Sequence, residues 1–135
     1  MSSPKILVVD DSSTVRTVLR RTLGQAGYDV VTAADGLEAI EAVKSEQPQL
    51  AILDICMPFL DGYGVCQELK RMGKPWSELP IIFLTTLESH ALELLGHELG
   101  AYLQKPVCDQ RLLKTVGEFF PPGVGSGQNS SEVSV

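Results

Sequence analysis

Short apolar runs that alternate with segments of helical spacing are the feature that most constrains how this chain folds. The runs Lys5–Val9, Leu50–Leu53 and Ile81–Leu84 are almost continuously apolar. Such runs are typical of strands that are covered on both faces, as in parallel sheets. Two further runs, Asp29–Ala33 and Tyr102–Gln104, bring the predicted strands to five. Five strands alternating with five helices predict an α/β fold with a doubly wound parallel sheet, right-handed crossovers and helices on both faces.

Apolar residues at helical spacing predict the five helices and their buried faces. Ser12 or Ser13 is a good N-cap for the first helix, and Asp61-Gly62 is interpreted as the turn that starts the third. The expected buried residues are Val15, Val18, Leu19, Leu23 and Ala26 in the first helix, Leu37, Ile40 and Val43 in the second, Val65, Leu69 and Met72 in the third, Leu92, Leu95 and Leu99 in the fourth, and Leu112, Leu113, Val116 and Phe120 in the fifth.

The length and composition fit one globular domain. The chain has 135 residues, of which 44% are hydrophobic and 21% charged, and a domain of this size buries a sufficient core without metals or disulfides. We expect the domain to span residues 1–120. Residues 121–135 are rich in Gly, Ser and Pro without periodicity, so we interpret them as a disordered tail or the start of a linker.

Charge and cysteine usage exclude several classes of function. The net charge is −6 with only 11 Lys and Arg residues, so no basic patch for nucleic acid is expected in this domain. No apolar run reaches the roughly 18 residues that span a membrane, and the start shows no signal-peptide pattern. Three cysteines without a CxxC pair indicate free thiols in a reducing compartment. We therefore expect a cytoplasmic protein without a membrane association.

Polar residues follow four of the five predicted strands. Asp10 and Asp11 come after the first strand, Asp54 ends the third, Thr85 follows the fourth and Lys105 follows the fifth. In open α/β sheets the functional residues lie at the carboxyl ends of the strands. We therefore expect three carboxylates, one hydroxyl and one ammonium to meet at this edge of the sheet.

Three carboxylates this close together would repel one another, and a divalent cation is the natural remedy. Oxygen ligands favour Mg²⁺, Mn²⁺ or Ca²⁺ over zinc, and few protein ligands favour Mg²⁺. With Mg²⁺ and Lys105, the formal charge of the site is zero. A carboxylate can act as a nucleophile that forms an aspartyl phosphate, and Thr85, Lys105 and the metal could then hold the phosphoryl oxygens. Asp54 is the predicted acceptor.

Four stretches in this order and spacing resemble the receiver domain of bacterial two-component response regulators, with a chemotaxis-regulator-like pattern. They are Lys5-Ile-Leu-Val-Val-Asp-Asp-Ser, Leu53-Asp-Ile-Cys-Met-Pro-Phe-Leu-Asp-Gly62, Pro80-Ile-Ile-Phe-Leu-Thr85 and Tyr102-Leu-Gln-Lys-Pro106. The resemblance covers roughly residues 4 to 120. It implies a flavodoxin-like strand order of 2-1-3-4-5 and a phosphorylation-dependent signalling switch.

The resemblance also implies a role for each residue. Asp10 and Asp11 would hold Mg²⁺ together with Asp54 and the backbone carbonyl of Cys56. Thr85 would be the switch hydroxyl, and Tyr102 the switch aromatic that turns inward when Thr85 moves. Lys105 would contact the phosphoryl group, and its peptide bond to Pro106 would be cis. No separate cofactor-binding residues are implied.

The resemblance implies partners as well. A histidine kinase or phosphotransfer protein would donate the phosphoryl group to Asp54. A downstream effector or a second copy would bind the face formed by the fourth helix, fifth strand and fifth helix. We expect no turnover beyond self-phosphorylation from a phosphodonor and autodephosphorylation.

Two other functions compete with the switch. A degenerate receiver would act as a phosphorylation-independent interaction module, but it usually lacks the acceptor or the lysine, and Asp54 and Lys105 are both present. A flavodoxin-like redox enzyme would need a phosphate-binding loop after the first strand. Asp10 and Asp11 stand there instead and would repel a flavin phosphate.

Overall fold

The computed structural model of the chain describes residues 3–86 and 101–120, and a five-stranded parallel sheet forms its centre. The strand order is β2-β1-β3-β4-β5, which confirms the predicted doubly wound topology. The strands are β1 (Lys5–Val9), β2 (Asp29–Ala33), β3 (Leu50–Asp54), β4 (Ile81–Thr85) and β5 (Ala101–Gln104). All of their pairings are parallel, so their carboxyl ends share one edge of the sheet.

Four α-helices and one short 3-10 helix lie in the described part of the chain. The α-helices are α1 (Ser13–Gln25), α2 (Gly36–Glu46), α3 (Gly62–Met72) and α4 (Asp109–Gly117), and the 3-10 helix is Trp76–Glu78. Helix α4 is the last of the five predicted helices. The helix predicted around Leu92, Leu95 and Leu99 falls outside the described residues, as does the tail predicted from residue 121.

Polar side chains cap the starts of three helices. The Ser12 hydroxyl accepts a hydrogen bond from the N–H of Val15 at 3.2 Å, so Ser12 is the N-cap of α1. The carboxylates of Asp35 and Asp61 cap α2 and α3 in the same way, each accepting from the N–H three residues later. These caps satisfy backbone donors that have no partner inside a helix, which fixes where each loop at the sheet edge ends.

The core lies on both faces of the sheet because successive strand residues point to opposite sides. One face of the sheet packs against α1 and α4, and the other packs against α2 and α3. Every residue of β3 is buried, as expected for a central strand of a parallel sheet. The resulting three-layer arrangement leaves the carboxyl edge of the sheet open to functional residues.

Three residues predicted to be buried, Val18, Ala26 and Leu37, are exposed instead. The side chain of Val18 on α1 is 45% exposed, and that of Leu37 on α2 is 58% exposed. The buried face of α2 consists of Gly36, Ala39, Ile40 and Val43, so Ile40 and Val43 are buried as predicted and only Leu37 is not. Gly36 sets the rotation of α2, because it packs so closely on Leu60 that a β-carbon would overlap the Leu60 carbonyl. Leu37, the next residue, is therefore turned outward.

Cys56, Cys66 and Cys108 are all free cysteines, as predicted. Among residues 3–86 and 101–120, no helix combines the length and apolar character that a membrane crossing requires.

Candidate functional site

The strand register brings the predicted polar residues to one edge of the sheet. Val9 pairs with Leu53, so Asp10 and Asp54 follow on neighbouring strands β1 and β3. Thr85 ends β4 beside Gln104 of β5, and Lys105 comes next. The peptide N–H of Lys105 donates to the Thr85 carbonyl at 2.7 Å, which continues the sheet to the lysine.

Three carboxylates gather at this edge. Asp10, Asp11 and Asp54 each offer a carboxylate oxygen, and these oxygens lie within 4.8 Å of one another. Asp10 is fully buried and Asp54 is 5% exposed, whereas Asp11 is exposed. Buried charges of like sign repel strongly because little water screens them. The cluster therefore needs positive charge.

Lys105 supplies part of that positive charge. Its Nζ lies 2.6 Å from Oδ2 of Asp10 and 3.3 Å from Oδ2 of Asp54. Burial alone would lower the pKa of the lysine, but the hydrogen bond to Asp10 and the charges of Asp54 and Asp10 outweigh it and raise that pKa above its usual value. The ammonium therefore stays charged at neutral pH. The bond from Lys105 to Pro106 is cis, as the resemblance implied.

The backbone holds the Asp10 side chain in place. Oδ1 of Asp10 accepts a hydrogen bond from the N–H of Ser12 at 2.9 Å. Arg16 adds a contact that the sequence reasoning missed, because its Nη1 donates to the Asp10 carbonyl at 2.7 Å. The sequence feature that indicates this contact is the position of Arg16 in the first turn of α1, because helical side chains point toward the start of their helix. Arg16 therefore belongs to the support of the acidic cluster.

The carboxylate of Asp54 has a different protein neighbour on each oxygen. Oδ1 accepts from the N–H of Cys56 at 3.2 Å, and Oδ2 faces Lys105. Burial raises the pKa of Asp54 and the charge of Asp10 raises it further, while Lys105 and the Cys56 N–H lower it. The net shift is upward. The ionised form of Asp54 is thus destabilised unless more positive charge enters the site.

The other predicted site residues lie around this cluster. The Thr85 side chain is buried, 2% exposed, at the end of β4. Tyr102 lies on β5, opposite Phe83 of β4, and is 37% exposed. The thiol side chain of Cys56 is exposed, and its peptide N–H is the group in contact with Asp54. The roles assigned to these residues as switch and metal ligand stay predictions.

The donor set fits a divalent cation. Oδ2 of Asp10 is buried and, among the described residues, has no hydrogen-bond donor other than the Lys105 ammonium at 2.6 Å. A carboxylate oxygen in this state has lone pairs available to a metal. Three carboxylates are the ligands that Mg²⁺ prefers, together with water. The residues present therefore suit Mg²⁺ at the mouth of the cluster.

Comparison with known proteins identifies the family. The model of the "Response regulator receiver domain" family matches residues 6–117. The chain belongs to this receiver domain family. This is the receiver domain family of two-component response regulators, as the four sequence stretches indicated.

Curated relatives are longer than this receiver domain. It is 47% identical over 114 residues to "Probable transcriptional regulator ycf27" of Porphyridium aerugineum, covering 83% of this chain and 46% of the relative. It is 44% identical over 113 residues to "Response regulator MprA" of Mycobacterium ulcerans, covering 82% of this chain and 47% of the relative. The chain thus spans just under half the length of the curated relatives it matches.

Solved structures share the fold. The chemotaxis protein CheY4 of Vibrio cholerae superposes with a TM-score of 0.78 at 34% identity, covering 87% of this chain and 99% of CheY4. The receiver domain of sensor histidine kinase PA1611 from Pseudomonas aeruginosa also gives a TM-score of 0.78, at 27% identity, covering 87% of this chain and 98% of that one. The PA1611 domain has a magnesium ion coordinated in its active site cleft.

The raised pKa of Asp54 leads to a prediction for the metal-free receiver domain. A raised pKa in the folded state means that the contribution of Asp54 to stability is full at low pH and lost as the pH rises through that pKa. Asp54→Asn should therefore raise the free energy of unfolding at pH 7 in EDTA, by about 1 kcal/mol. The gain should shrink below about pH 4, where Asp54 is protonated in the unfolded chain as well.

Urea unfolding in EDTA at several pH values measures this effect. Asp61→Asn is the matched control, because Asp61 is exposed and its capping bond to the Gly64 N–H can be made by an asparagine oxygen. Equal or lower stability of Asp54→Asn at pH 7 would contradict the electrostatic account of the cluster.

Proposed function

We propose that this receiver domain is a phosphorylation switch in which the carboxylate of Asp54 accepts a phosphoryl group with Mg²⁺ as the cofactor. The observation that carries the proposal is the acidic cluster itself. A buried carboxylate ends the central strand β3, with two further carboxylates and one ammonium beside it. Aspartyl phosphate formation needs this combination of a nucleophile and fixed positive charge.

The transfer step exchanges one bond for another. An oxygen of Asp54 attacks the phosphorus of a phosphohistidine, so a P–O bond forms while the N–P bond breaks. The imidazole nitrogen keeps the electron pair of the broken bond, and because the other ring nitrogen carries a proton, the leaving group is a neutral histidine. Later attack by water on the acyl phosphate releases inorganic phosphate and restores the carboxylate. Because Asp54 is buried and held by Cys56 and Lys105, its carboxylate needs little reorientation for the attack.

The residues around Asp54 would stabilise the negative charge of the phosphoryl group during this reaction. Asp10, Asp11, Asp54 and the carbonyl of Cys56 would hold the cation, which supplies positive charge to the phosphoryl oxygens when bound. Lys105 would move from its pairing with Asp54 to one of those oxygens. Phosphorylation replaces the single negative charge of Asp54 by about two. The ammonium that already lies 3.3 Å from Asp54 is therefore well placed for the product.

Phosphorylation of Asp54 would cause a conformational change that extends to β5 at the edge of the sheet. The Thr85 hydroxyl would bind the phosphoryl group, and Tyr102 would turn inward as Thr85 moves. Thr85 and Tyr102 lie on adjacent strands, which supports a short connection between them. A downstream effector or a second copy would then bind the face that includes β5, α4 and the helix predicted between residues 87 and 100.

The partners and context follow from the same proposal. A histidine kinase or phosphotransfer protein would be the donor, acting in the cytoplasm. We propose that residues 1–120 form the receiver domain and that the residues from 121 onward begin a tail or linker. The longer relatives named as transcriptional regulators support the presence of an output domain in related proteins. A degenerate receiver is the competing proposal, and the presence of both Asp54 and Lys105 counts against it.

Incubation with acetyl phosphate tests the switch. With Mg²⁺ the protein should gain one phosphoryl group by intact mass that is removed by base and by hydroxylamine, and the Trp76 fluorescence or the NMR spectrum should change. Excess EDTA should prevent both changes, since three carboxylates would then face the incoming phosphate without a metal. An unmodified protein under conditions that label another receiver domain would refute the proposal in favour of the degenerate receiver.

A further inference from the structure

Phe59 is a large apolar side chain in an unusual place. It lies in the loop of residues 55–61, between Asp54 and α3, and its side chain is 83% exposed. This is the highest value among the exposed large hydrophobic residues in the described part of the chain. Single exposed apolar residues are common on protein surfaces, so exposure alone does not indicate a function.

The backbone of Phe59 is also strained. Its φ angle is +69°, in the left-handed region that residues other than glycine and asparagine rarely adopt. The N–H of Leu60 donates to the Pro58 carbonyl at 2.8 Å, so Phe59 is the central residue of a three-residue turn. This form of γ-turn is rare because of its strain. A glycine or asparagine would adopt the same backbone with less strain, yet this chain has phenylalanine.

The neighbours of Leu60 hold the loop in this conformation. A β-carbon on Gly36 would overlap the Leu60 carbonyl, and one on Gly64 would lie 2.6 Å from Cδ1 of Leu60. The N–H of Gly62 donates to the Ile55 carbonyl at 3.0 Å, which closes the loop at its base. Leu60 packs against the core and Phe59 is turned outward. The exposure of Phe59 is therefore built into the fold.

Two other exposed apolar residues lie next to glycines that approach the loop of Phe59. Leu37 is 58% exposed and follows Gly36, while Tyr63 is 40% exposed and precedes Gly64. Gly36 and Gly64 both approach Leu60, so Leu37 and Tyr63 are each one residue away from a contact with the loop that carries Phe59. We call these three exposed residues, Leu37, Phe59 and Tyr63, the Phe59 patch. Exposed apolar surface of this kind is frequent where proteins bind one another.

The location of the Phe59 patch indicates which protein would cover it. The loop starts at the acceptor Asp54 and returns to it, because Gly62 packs directly against the Asp54 carbonyl. A protein that brings a phosphohistidine to Asp54 has to cover the loops around this residue. A small donor such as acetyl phosphate does not. The phosphodonor protein is therefore the occupant that the position favours.

We propose that Phe59 is an anchor that a protein phosphodonor buries when it docks over Asp54, so that the residue sets the rate of transfer from proteins but not from small donors. The inference rests on the proposed function of Asp54. Aromatic side chains are frequent anchors in protein interfaces and bury a large area with few rotatable bonds. A rigid strained turn adds preorganisation, because the side chain is already presented before the donor binds.

Phe59→Asn is the decisive variant, since asparagine tolerates the left-handed backbone while losing the aromatic ring. The probes are the purified, autophosphorylated histidine kinases and phosphotransfer proteins encoded in the source genome, with acetyl phosphate as the small donor. Initial transfer from the most active protein donor should fall at least about tenfold. Labelling by acetyl phosphate should stay within about twofold of wild type. Phe59→Tyr keeps the aromatic ring, so transfer from the protein donor to this variant should remain close to the wild-type rate.

The outcomes separate this inference from the proposed function. Wild-type protein that takes no phosphoryl group from any donor would refute the function of Asp54. If protein donors phosphorylate wild type and Phe59→Asn at the same rate, Phe59 is not an anchor, but the proposed function of Asp54 is unaffected. If Phe59→Asn loses labelling by acetyl phosphate as much as labelling by protein donors, Phe59 has a structural role instead. Labelling by acetyl phosphate but by no protein donor would overturn the anchor too. A change only in self-association, measured by sedimentation, would assign the Phe59 patch to a second copy instead.

Discussion

Asp54→Asn should reduce phosphoryl incorporation from acetyl phosphate to background, a loss of at least roughly a hundredfold. The amide has nearly the shape of the carboxylate, but its oxygen is a poor nucleophile and carries no charge. The substitution therefore removes the proposed acceptor while leaving the packing around β3 intact. Intact-mass analysis after incubation with acetyl phosphate and Mg²⁺ measures the effect.

Asp61→Asn provides the matched control for the acceptor. Asp61 lies in the loop that begins at Asp54, but it is exposed and caps α3. Its variant should be labelled at nearly the wild-type rate. Labelling that persists in Asp54→Asn would show that another carboxylate is the acceptor, and peptide mapping would locate it. A comparable loss in Asp61→Asn would show that the loop, rather than the identity of the acceptor, controls the reaction.

Gly62→Ala should lower the free energy of unfolding by about 2–3 kcal/mol. A β-carbon at Gly62 would overlap the Asp54 carbonyl and lie 3.1 Å from Cα of Ile55. Both groups are backbone atoms at the buried end of β3, so they cannot move aside as a flexible side chain would. The start of α3 or the end of β3 has to shift instead. Thermal unfolding should show a drop of roughly 10 °C.

Gly24→Ala is the control for Gly62→Ala. Gly24 lies in α1, and a β-carbon there would have no heavy atom within 4 Å. Alanine is the better helix former by up to about 1 kcal/mol. This variant should therefore unfold at an equal or higher temperature than wild type. If both variants lose stability equally, the close approach of Gly62 to Asp54 is not the cause.

Much of the site could be predicted because parallel strands deliver their last residues to one edge. Asp10, Asp54, Thr85 and Lys105 each follow an apolar run, and the structure brings all four strand ends together. The contact of Arg16 with the Asp10 carbonyl was missed, because it depends on the direction of one side chain. At Gly62 the sequence predicts only a turn. The close approach of this glycine to the Asp54 backbone depends on how α3 packs on β3.

The errors in the helices have a similar cause. Leu37 and Val18 fit the helical spacing of a buried stripe, yet both are exposed. Periodicity gives the existence of an apolar face, but the rotation of a helix is set by the residues it packs against. For α2 that residue is Gly36, whose contact with Leu60 turns Leu37 outward. No pattern within α2 contains this information.

The sequence by itself determined the alternation of strands and helices and the residues at which the strands end, because hydrophobic periodicity is a local property. It therefore also determined which residues form the acidic edge of the sheet. Only the tertiary structure decided how those residues interact. Lys105 contacts both Asp10 and Asp54, the Cys56 N–H takes one oxygen of Asp54, and Phe59 is held outward in a strained turn. These arrangements depend on contacts between residues far apart in the chain, and close packing allows few alternatives to them.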